Sequence, residues 1–574
     1  MTFNELKKNL KKDFSEFKKF KLALLGDSST QLLAQAIRGA GYEKHLDLNI
    51  FDADYNQIDR QIMDISSELY VYQPEFTVVF EAGHKLLQKF NKANESERFD
   101  FAKDQHDRIN QLVEVIQNNL KTKVIWFNYT EEDDRVFGDY ANKVETSFIF
   151  QQRKLNYLLA ELSVKNKGLF ICDISSIQNR IGRNNMFSSS IYVNSDIVLS
   201  IDSLSYVANS VVQIIAAVQG QINKCIILDL DNTLWGGVIG DDGLNNIQIG
   251  SLGIGKAFTE FQYWVKKLEQ RGIIICVCSK NTESIAKEPF EKHPDMILRL
   301  KDIAVFMANW ETKVDNIKHI QKILNIGFDS MVFIDDNPFE RNIVRENIQG
   351  ITVPELPRDP AEYLEFLYSL NLFETASYST EDAKRTELYQ KESERIAVQV
   401  SFANENDYLK SLNMFSDVQP FNSFSIPRVA QLSQRSNQFN LRTIRYTEEE
   451  VTQITASEQY FTFSFTLEDK YGENGLICVI IIEKKQPKEL FIDTWFMSCR
   501  VLKRGMENFG LNTIIDFARK NGYQTIVGEY IPTPKNMIVK DHYKNLGFIK
   551  KDEFWRLEIT ASQQKECFIH TKEN

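Results

Sequence analysis

Short apolar runs alternate with stretches of helical spacing as far as about residue 372. "KLALLGDSS" leads into "TQLLAQAIRGAG", and "EFTVVFEAG", "KVIWFNY" and "GLFICDI" follow before about residue 220. This alternation predicts parallel strands covered by helices, because a parallel return needs a crossover that is itself usually helical. A second set begins at Lys224, with strands expected at "CIILDL", "IIICVC", "MILRL", "MVFID" and "ITVP". After the polar helical stretch "NLFETASYSTEDAKRTELYQKESER" the pattern changes. "YFTFSFTLED", "GLICVIIIE" and "ELFIDTWFMSC" read as consecutive strands joined by turns, and helices follow.

The expectation is an α/β chain of three domains, at residues 1–220, 221–372 and 373–574, the first two with parallel sheets and the last α+β. A chain of 574 residues exceeds a single core, since domains hold roughly 100–200 residues each. The opening "MTFNELKKNLKKDFSEFKKF" places Leu6, Leu10, Phe14 and Phe17 at helical spacing between lysines and lacks the long apolar run of a signal or span. It reads as a solvated first helix packed on its own domain.

Charge and cysteine usage narrow the class. A net charge of -11 argues against nucleic acid as the main partner, and seven scattered histidines show no zinc spacing. The seven cysteines are an odd number and sit mostly in apolar runs, which suits a reducing cytoplasm.

Candidate chemistry starts at "CIILDLDNTLWGG", where Asp229 and Asp231 follow an apolar strand. The carboxyl ends of parallel strands open onto the ligand crevice, and a spacing of two along a strand puts both side chains on one side. Two like charges there call for a cation between them or a retained proton, and Mg²⁺ takes oxygen ligands. Ser279 after "IIICVC", Lys313 in "NWETK", and Asp335 with Asp336 after "MVFI" lie at the other strand ends. Such a set could supply a nucleophile, an acid/base, phosphate binders and a metal site. A lone strand-end aspartate is often only a helix cap; four ordered signals argue for chemistry.

The order "DLDNT", "CSKN", Lys313, "FIDDNP" resembles the haloacid dehalogenase superfamily of aspartyl-phosphate phosphatases. The fuller strings "DLDNTLWGGVIGDDG", "CSKNTE", "NWETK" and "FIDDNPFERN" resemble its FkbH-like branch, phosphatase subfamily IIIC. The resemblance implies Asp229 as nucleophile, Asp231 as acid/base, Ser279 and Lys313 as phosphate binders, and Mg²⁺ at Asp229, Asp231 and Asp335. The spans Thr233 to Ile273 and Ser279 to Lys313 leave no room for a cap domain, so the site either admits a bulky or protein-borne phosphate or is closed by a neighbour.

Downstream, "QRSNQFNL", "DTWFMSCRVLKRGMEN" and "TPKNMIVKDHYKNLGF" resemble the carboxyl-terminal part of FkbH-like proteins, which is similar to the GNAT acyltransferase fold. The resemblance implies a strand-to-helix turn at "CRVLKRGMEN" that holds a pantetheine arm, with Arg500, Lys503, Arg504 and Gly505 as its binders. Cys499 ends the strand at that turn. It is either a thiol activated by arginines and a helix amino terminus, able to carry an acyl group, or a buried inert cysteine, with Cys278 as a rival. In the first segment "LLGDSST" resembles the nucleophile block of SGNH hydrolases. Asp202 is present, but Ser205 stands where histidine belongs, and His84 is on an unexpected strand. That segment reads as a degenerate scaffold for docking or for covering the capless site, with Ser28 a helix cap.

FkbH-like enzymes are implied to take a glyceryl unit from 1,3-bisphosphoglycerate, a small phosphorylated acyl donor, to a phosphopantetheinylated acyl carrier protein, removing the other phosphate. The alternatives are a plain phosphatase of another metabolite or sugar, and a non-catalytic pathway scaffold.

Overall fold

A computed structural model describes residues 1–379, 382, 384–399 and 402–572. The chain divides into two compact units, Met1–Ala216 and Ala217–Asn574. Among the described residues it carries three sheets, one in the first unit and two in the second.

In the first unit, strands β1 (Lys18–Gly26), β2 (Leu46–Asp52), β3 (Phe76–Phe80), β4 (Lys123–Phe127) and β5 (Leu169–Cys172) pair in parallel in the order β2-β1-β3-β4-β5. β1, β3 and β4 are the near-continuous apolar runs expected of strands buried on both faces. β2, "LDLNIFD", is half-exposed at the edge, which is why its mixed polarity hides it in the sequence. The first helix is shorter than its periodicity suggests. It runs Phe3–Asn9, opened by a capping box in which Glu5 Oε2 accepts from Thr2 N at 2.7 Å. It packs on its own unit: Asn9 Nδ2 donates to Gly39 O at 3.0 Å, and a Cβ at Gly39 would lie 2.3 Å from Leu6 O.

The second unit begins with the parallel order β8-β7-β6-β9, formed by β6 (Cys225–Leu228), β7 (Ile274–Ser279), β8 (Val305–Ala308) and β9 (Met331–Ile334). β6, β7 and β9 are fully buried between helices, and their carboxyl ends lie side by side. Two expectations shift here. "MILRL" is extended but not a strand, because Gln262 Oε1 takes the N–H groups of Ile297 and Leu298 at 3.0 and 3.3 Å; the strand is "VFMA". "ITVP" contributes a bridge between Thr352 and Val332.

The second sheet of this unit is mixed. Its strands are β10 (Met414–Ser416), β11 (Val418–Gln419), β12 (Tyr460–Asp469), β13 (Gly472–Gln486), β14 (Glu489–Met497), β15 (Thr525–Glu529), β16 (Ile549–Lys551), β17 (Phe554–Glu558) and β18 (Ile569–Thr571). The main path is β16-β17-β15-β14-β13-β12-β10-β18. β14 and β15 run parallel, joined by the helix Met506–Lys520, while β12, β13 and β14 are antiparallel. That order, with its parallel pair around a crossover helix, is the topology expected of a GNAT fold. Trp495, Ile480, Ile514 and Ile515 are buried in its core.

Candidate active site

β6 ends at Leu228, so Asp229 and Asp231 lie beyond the strand, and the expectation that its alternation aligns them does not hold. Asp229 points into the crevice. Its Oδ1 lies 3.0 Å from Lys313 Nζ, and the same ammonium is hydrogen-bonded to Asp335 Oδ2. Asp335 follows β9, is fully buried, and its Oδ1 accepts from Asn337 N at 2.8 Å. Asp229, Asp335 and Asp336 bring one carboxylate oxygen each to within 4.8 Å of one another. Thr233 Oγ1 accepts from Asp336 N at 3.2 Å, and Arg341 Nη1 donates to the carbonyls of Asp335 and Asp336 at 2.8 and 2.7 Å. The loop is thereby fixed. Burial and then the Asp229 charge push Asp335 up to about 7, while burial of Lys313 is outweighed by the two aspartates, which raise its pKa. Three carboxylates facing one lysine form an oxygen-rich set suited to a hard divalent cation.

The carboxylate of Asp231 is not part of that cluster. Its Oδ1 accepts from Trp235 Nε1 and from Ile239 N, both at 3.0 Å, and its Oδ2 from Asn281 Nδ2 at 3.1 Å. Burial raises its pKa, as it does those of Asp335 and Asp336, but Asp231 alone stands outside the acidic cluster, which suits it to giving up a proton and taking it back. Ser279 ends β7, buried at the same edge of the sheet. Asp336 is named with Asp335 in the sequence but not as a metal ligand, and Asn281 and Trp235 are outside the expected set. Asp336 stands in "FIDDNP" itself, whereas the other two act through Asp231 and only a fold reveals them.

The basic turn of the mixed sheet differs from expectation. Arg500 and Arg504 are buried rather than displayed; Arg504 Nη1 pairs with Asp469 at 3.1 Å and its Nη2 with Glu392. Lys503 is exposed, and Gly505, at φ +82°, caps the helix Met506–Lys520. A cavity of about 320 Å³ opens there, lined by Leu502, Lys503, Glu507, Asn508, Phe439 and His542. His542 is buried with an unpartnered Nε2, and desolvation lowers it to about 3. The surroundings of Cys499 favour the inert of its two readings. Burial raises its thiol pKa, against a smaller opposing effect of Lys224, and it sits with Lys224 at the amino end of β6, away from Asp229. Desolvation outweighs the lowering effects of Lys224 and Arg500. Cys278 is buried under the carboxylate site, its thiol pKa also raised by burial.

Residues 21–216 match the family described as FkbH, N-terminal domain. A crystal structure of the N-terminal part of the protein BF1531 from Bacteroides fragilis, containing a phosphatase domain complexed with Mg, is 56% identical, with a TM-score of 0.64 over 66% of this chain and 100% of that one. The chain belongs to the FkbH-like family. Its first unit ends at Ala216 of 574 residues, so coverage of 66% carries the likeness into the second unit. The ribosomal-protein-S18-alanine N-acetyltransferase of Escherichia coli overlaps 26% of this FkbH-like chain and 99% of its own at 16% identity and a TM-score of 0.21. That overlap carries no argument by itself; the strand order does. No curated protein matches the chain.

In the first unit of this FkbH-like protein, Ser28 is not the helix cap the sequence suggests. Thr30 occupies that position, and Ser28 is fully buried with an unpartnered Oγ. His84 Nδ1 faces Glu132 at 3.2 Å, and burial lowers its pKa.

Proposed function

We propose that the carboxylate site of this FkbH-like protein is a Mg²⁺-dependent phosphatase centre. In this reading Asp229 attacks the phosphorus of a phosphate ester or acyl phosphate, forming an aspartyl phosphate as the bond to the leaving oxygen breaks. Asp231 gives its proton to that oxygen, then takes one from the water that attacks the aspartyl phosphate, which releases phosphate and restores Asp229. Ser279 and Lys313 hold the phosphoryl oxygens. Asp229, Asp335 and Asp336 would hold Mg²⁺, which supplies charge neutralisation and Lewis acidity when bound. The observation that carries the reading is the division of labour between neighbours. Asp229 faces the crevice, paired with Lys313 beside the acidic cluster, whereas the carboxylate of Asp231, two residues on, is fixed by three donors outside that cluster.

The finer part of the proposal is delivery of a glyceryl unit to the thiol of a phosphopantetheinylated acyl carrier protein. It is supported by the FkbH-like family, by the GNAT topology and by the cavity of about 320 Å³ lined by Lys503. Arg500 and Arg504 drop out of that docking set because they are buried elsewhere. The position of Cys499 favours a second reading, in which the chain releases phosphate without carrying an acyl group on that thiol. Among the described residues all seven cysteines are free, as a reducing compartment allows, and no helix is long and apolar enough to cross a membrane. The test is to incubate the enzyme with Mg²⁺, freshly generated 1,3-bisphosphoglycerate and carrier protein, following phosphate and the intact mass of the carrier. A glyceryl-sized gain absent with Asp229→Asn supports the whole reading; phosphate without any gain reduces it to a phosphatase.

A further inference from the structure

The amino end of the four-stranded sheet holds a second unbalanced charge cluster. Lys224 precedes β6, and β14 runs out into Ser498, Cys499 and Arg500. With the helices Arg385–Gln399 and Ile426–Arg435 they enclose a cavity of about 50 Å³, lined among others by Lys224, Arg385, Arg435 and Arg500. Asp382 is the described carboxylate that answers them, 2.9 Å from Arg385 and paired also with Arg435. The remaining contacts are to neutral groups: Lys224 Nζ to Arg435 O at 2.7 Å, Arg385 Nη1 to Gly272 O at 3.1 Å, Arg500 Nη2 to Asn474 O at 3.4 Å. Asp329, which faces Lys224 from farther off, is itself paired with Lys535. Arg428 lines the cavity as well, so among the described residues five cations gather here, and Asp382 is the described carboxylate paired with Arg385 and Arg435.

Two donors there have no protein partner. Arg500, only 9% exposed, lines the cavity with Nη1 unpaired, and Arg435 Nε is also unpaired. The adjoining network differs in its charge balance, although Arg395 Nε there also lacks a partner. Arg395 and Arg504 are matched charge for charge by Asp469 and Glu392. In the cavity, burial and then neighbouring guanidinium groups push Arg435 down to about 9, and burial above all pushes Arg500 to about 10 and Lys224 to about 8. An excess of buried positive charge is costly unless an anion completes it.

We propose that this cavity is a binding site for a phosphate-class dianion, held by Lys224, Arg385, Arg435 and Arg500 where the four-stranded and mixed sheets meet. Guanidinium forks suit tetrahedral oxyanions. The volume admits a single such ion and excludes a nucleotide or a pantetheine arm, so free orthophosphate is the expected occupant. The site is separate from the carboxylate crevice, since Lys224 and Asp229 flank β6 and lie roughly 16 Å apart at ~3.3 Å per residue. The ion completes the charge at the seam between the two sheets, so their docking follows the phosphate concentration.

The test is thermal unfolding of the full chain in EDTA, titrated with orthophosphate against chloride of matched ionic strength. The expected result is a saturable rise of a few degrees in wild type, retained in Ser279→Ala and lost in Arg500→Met and Lys224→Met. Arg500→Met should also melt no lower than wild type without phosphate, because it removes an uncompensated charge; a purely structural arginine would melt lower in either buffer. No rise in wild type, or a rise that survives both cavity variants, overturns the proposal. A larger rise with glycerol 3-phosphate than with orthophosphate overturns the free ion as occupant. Should the variants fail to fold, wild-type crystals grown without phosphate and then soaked in it decide the matter: tetrahedral density between Arg435 and Arg500 supports the site, and an empty cavity refutes it.

Discussion

The two ends of β6 are electrostatic opposites. At the carboxyl end Asp229, Asp335 and Asp336 gather around one ammonium, Lys313; at the amino end Lys224, Arg385, Arg435 and Arg500 line one cavity, and Asp382 is the described carboxylate paired with two of them, Arg385 and Arg435. Each end is built mostly of buried groups and each is short of counter-charge. Folded chains do not tolerate that without compensation, so each imbalance identifies the sign of a ligand. The acidic end calls for a divalent cation and the basic end for a dianion.

The largest effect expected at the acidic end is on turnover. Asp229→Asn should lower phosphate release on the order of 10⁴-fold or more, because it removes the nucleophile rather than a supporting contact. Asp231→Asn should cost roughly 10²–10⁴-fold, the range of general acid–base catalysis, and should flatten the pH profile of kcat. If the two variants lose equal activity and the pH profile is unchanged, the contrast between the neighbours is wrong.

Stability should report the charge balance more gently. Lys313→Met leaves its aspartates facing one another and should cost about 3–5 kcal/mol in urea titrations without metal, with part recovered on adding Mg²⁺. At the other end Asp382→Asn removes the described counter-charge of Arg385 and Arg435 and should cost about 3 kcal/mol, recovered by phosphate but not by Mg²⁺. Recovery of both variants by the same ion would erase the distinction between the ends. The smallest effect comes from His542, outside both. Its folded pKa is about 3, against an ordinary value near 6.5, so the unfolded chain binds the extra proton between those values. Stability should therefore fall by about 1.4 kcal/mol per pH unit as pH drops below ~6.5, and His542→Phe should remove that share of the slope.

The acidic end was legible in the sequence and the basic end was not, for a physical reason. Strand ends of a parallel sheet recur in order along the chain, so Asp229, Ser279, Lys313 and Asp335 announce themselves as short motifs after apolar runs. The basic end is assembled from four separated segments, at Lys224, Arg385, Arg435 and Arg500, whose proximity exists only once the mixed sheet docks on the four-stranded one. The same limit explains Cys499. Its neighbours in sequence suggest an activated thiol, but burial, which a sequence does not display, raises its pKa. It also explains Asp231, whose ligands Trp235, Ile239 and Asn281 are set by a turn beyond the end of the strand. Strand signals are clear in the sequence where both faces are buried, as in β1 and β6. They are weak at the half-exposed β2, and misleading at "MILRL", where Gln262 takes the backbone hydrogen bonds.

The most direct test of the account is to quench the enzyme in acid within a single turnover of a phosphorylated glyceryl donor and locate the phosphoryl group by peptide mass mapping after borohydride reduction. The account predicts a phosphoryl group on Asp229, converted to homoserine by the reductant, and none in Asp229→Asn. Phosphate release with no trapped group on Asp229, or a phosphoryl group on another residue, would contradict it.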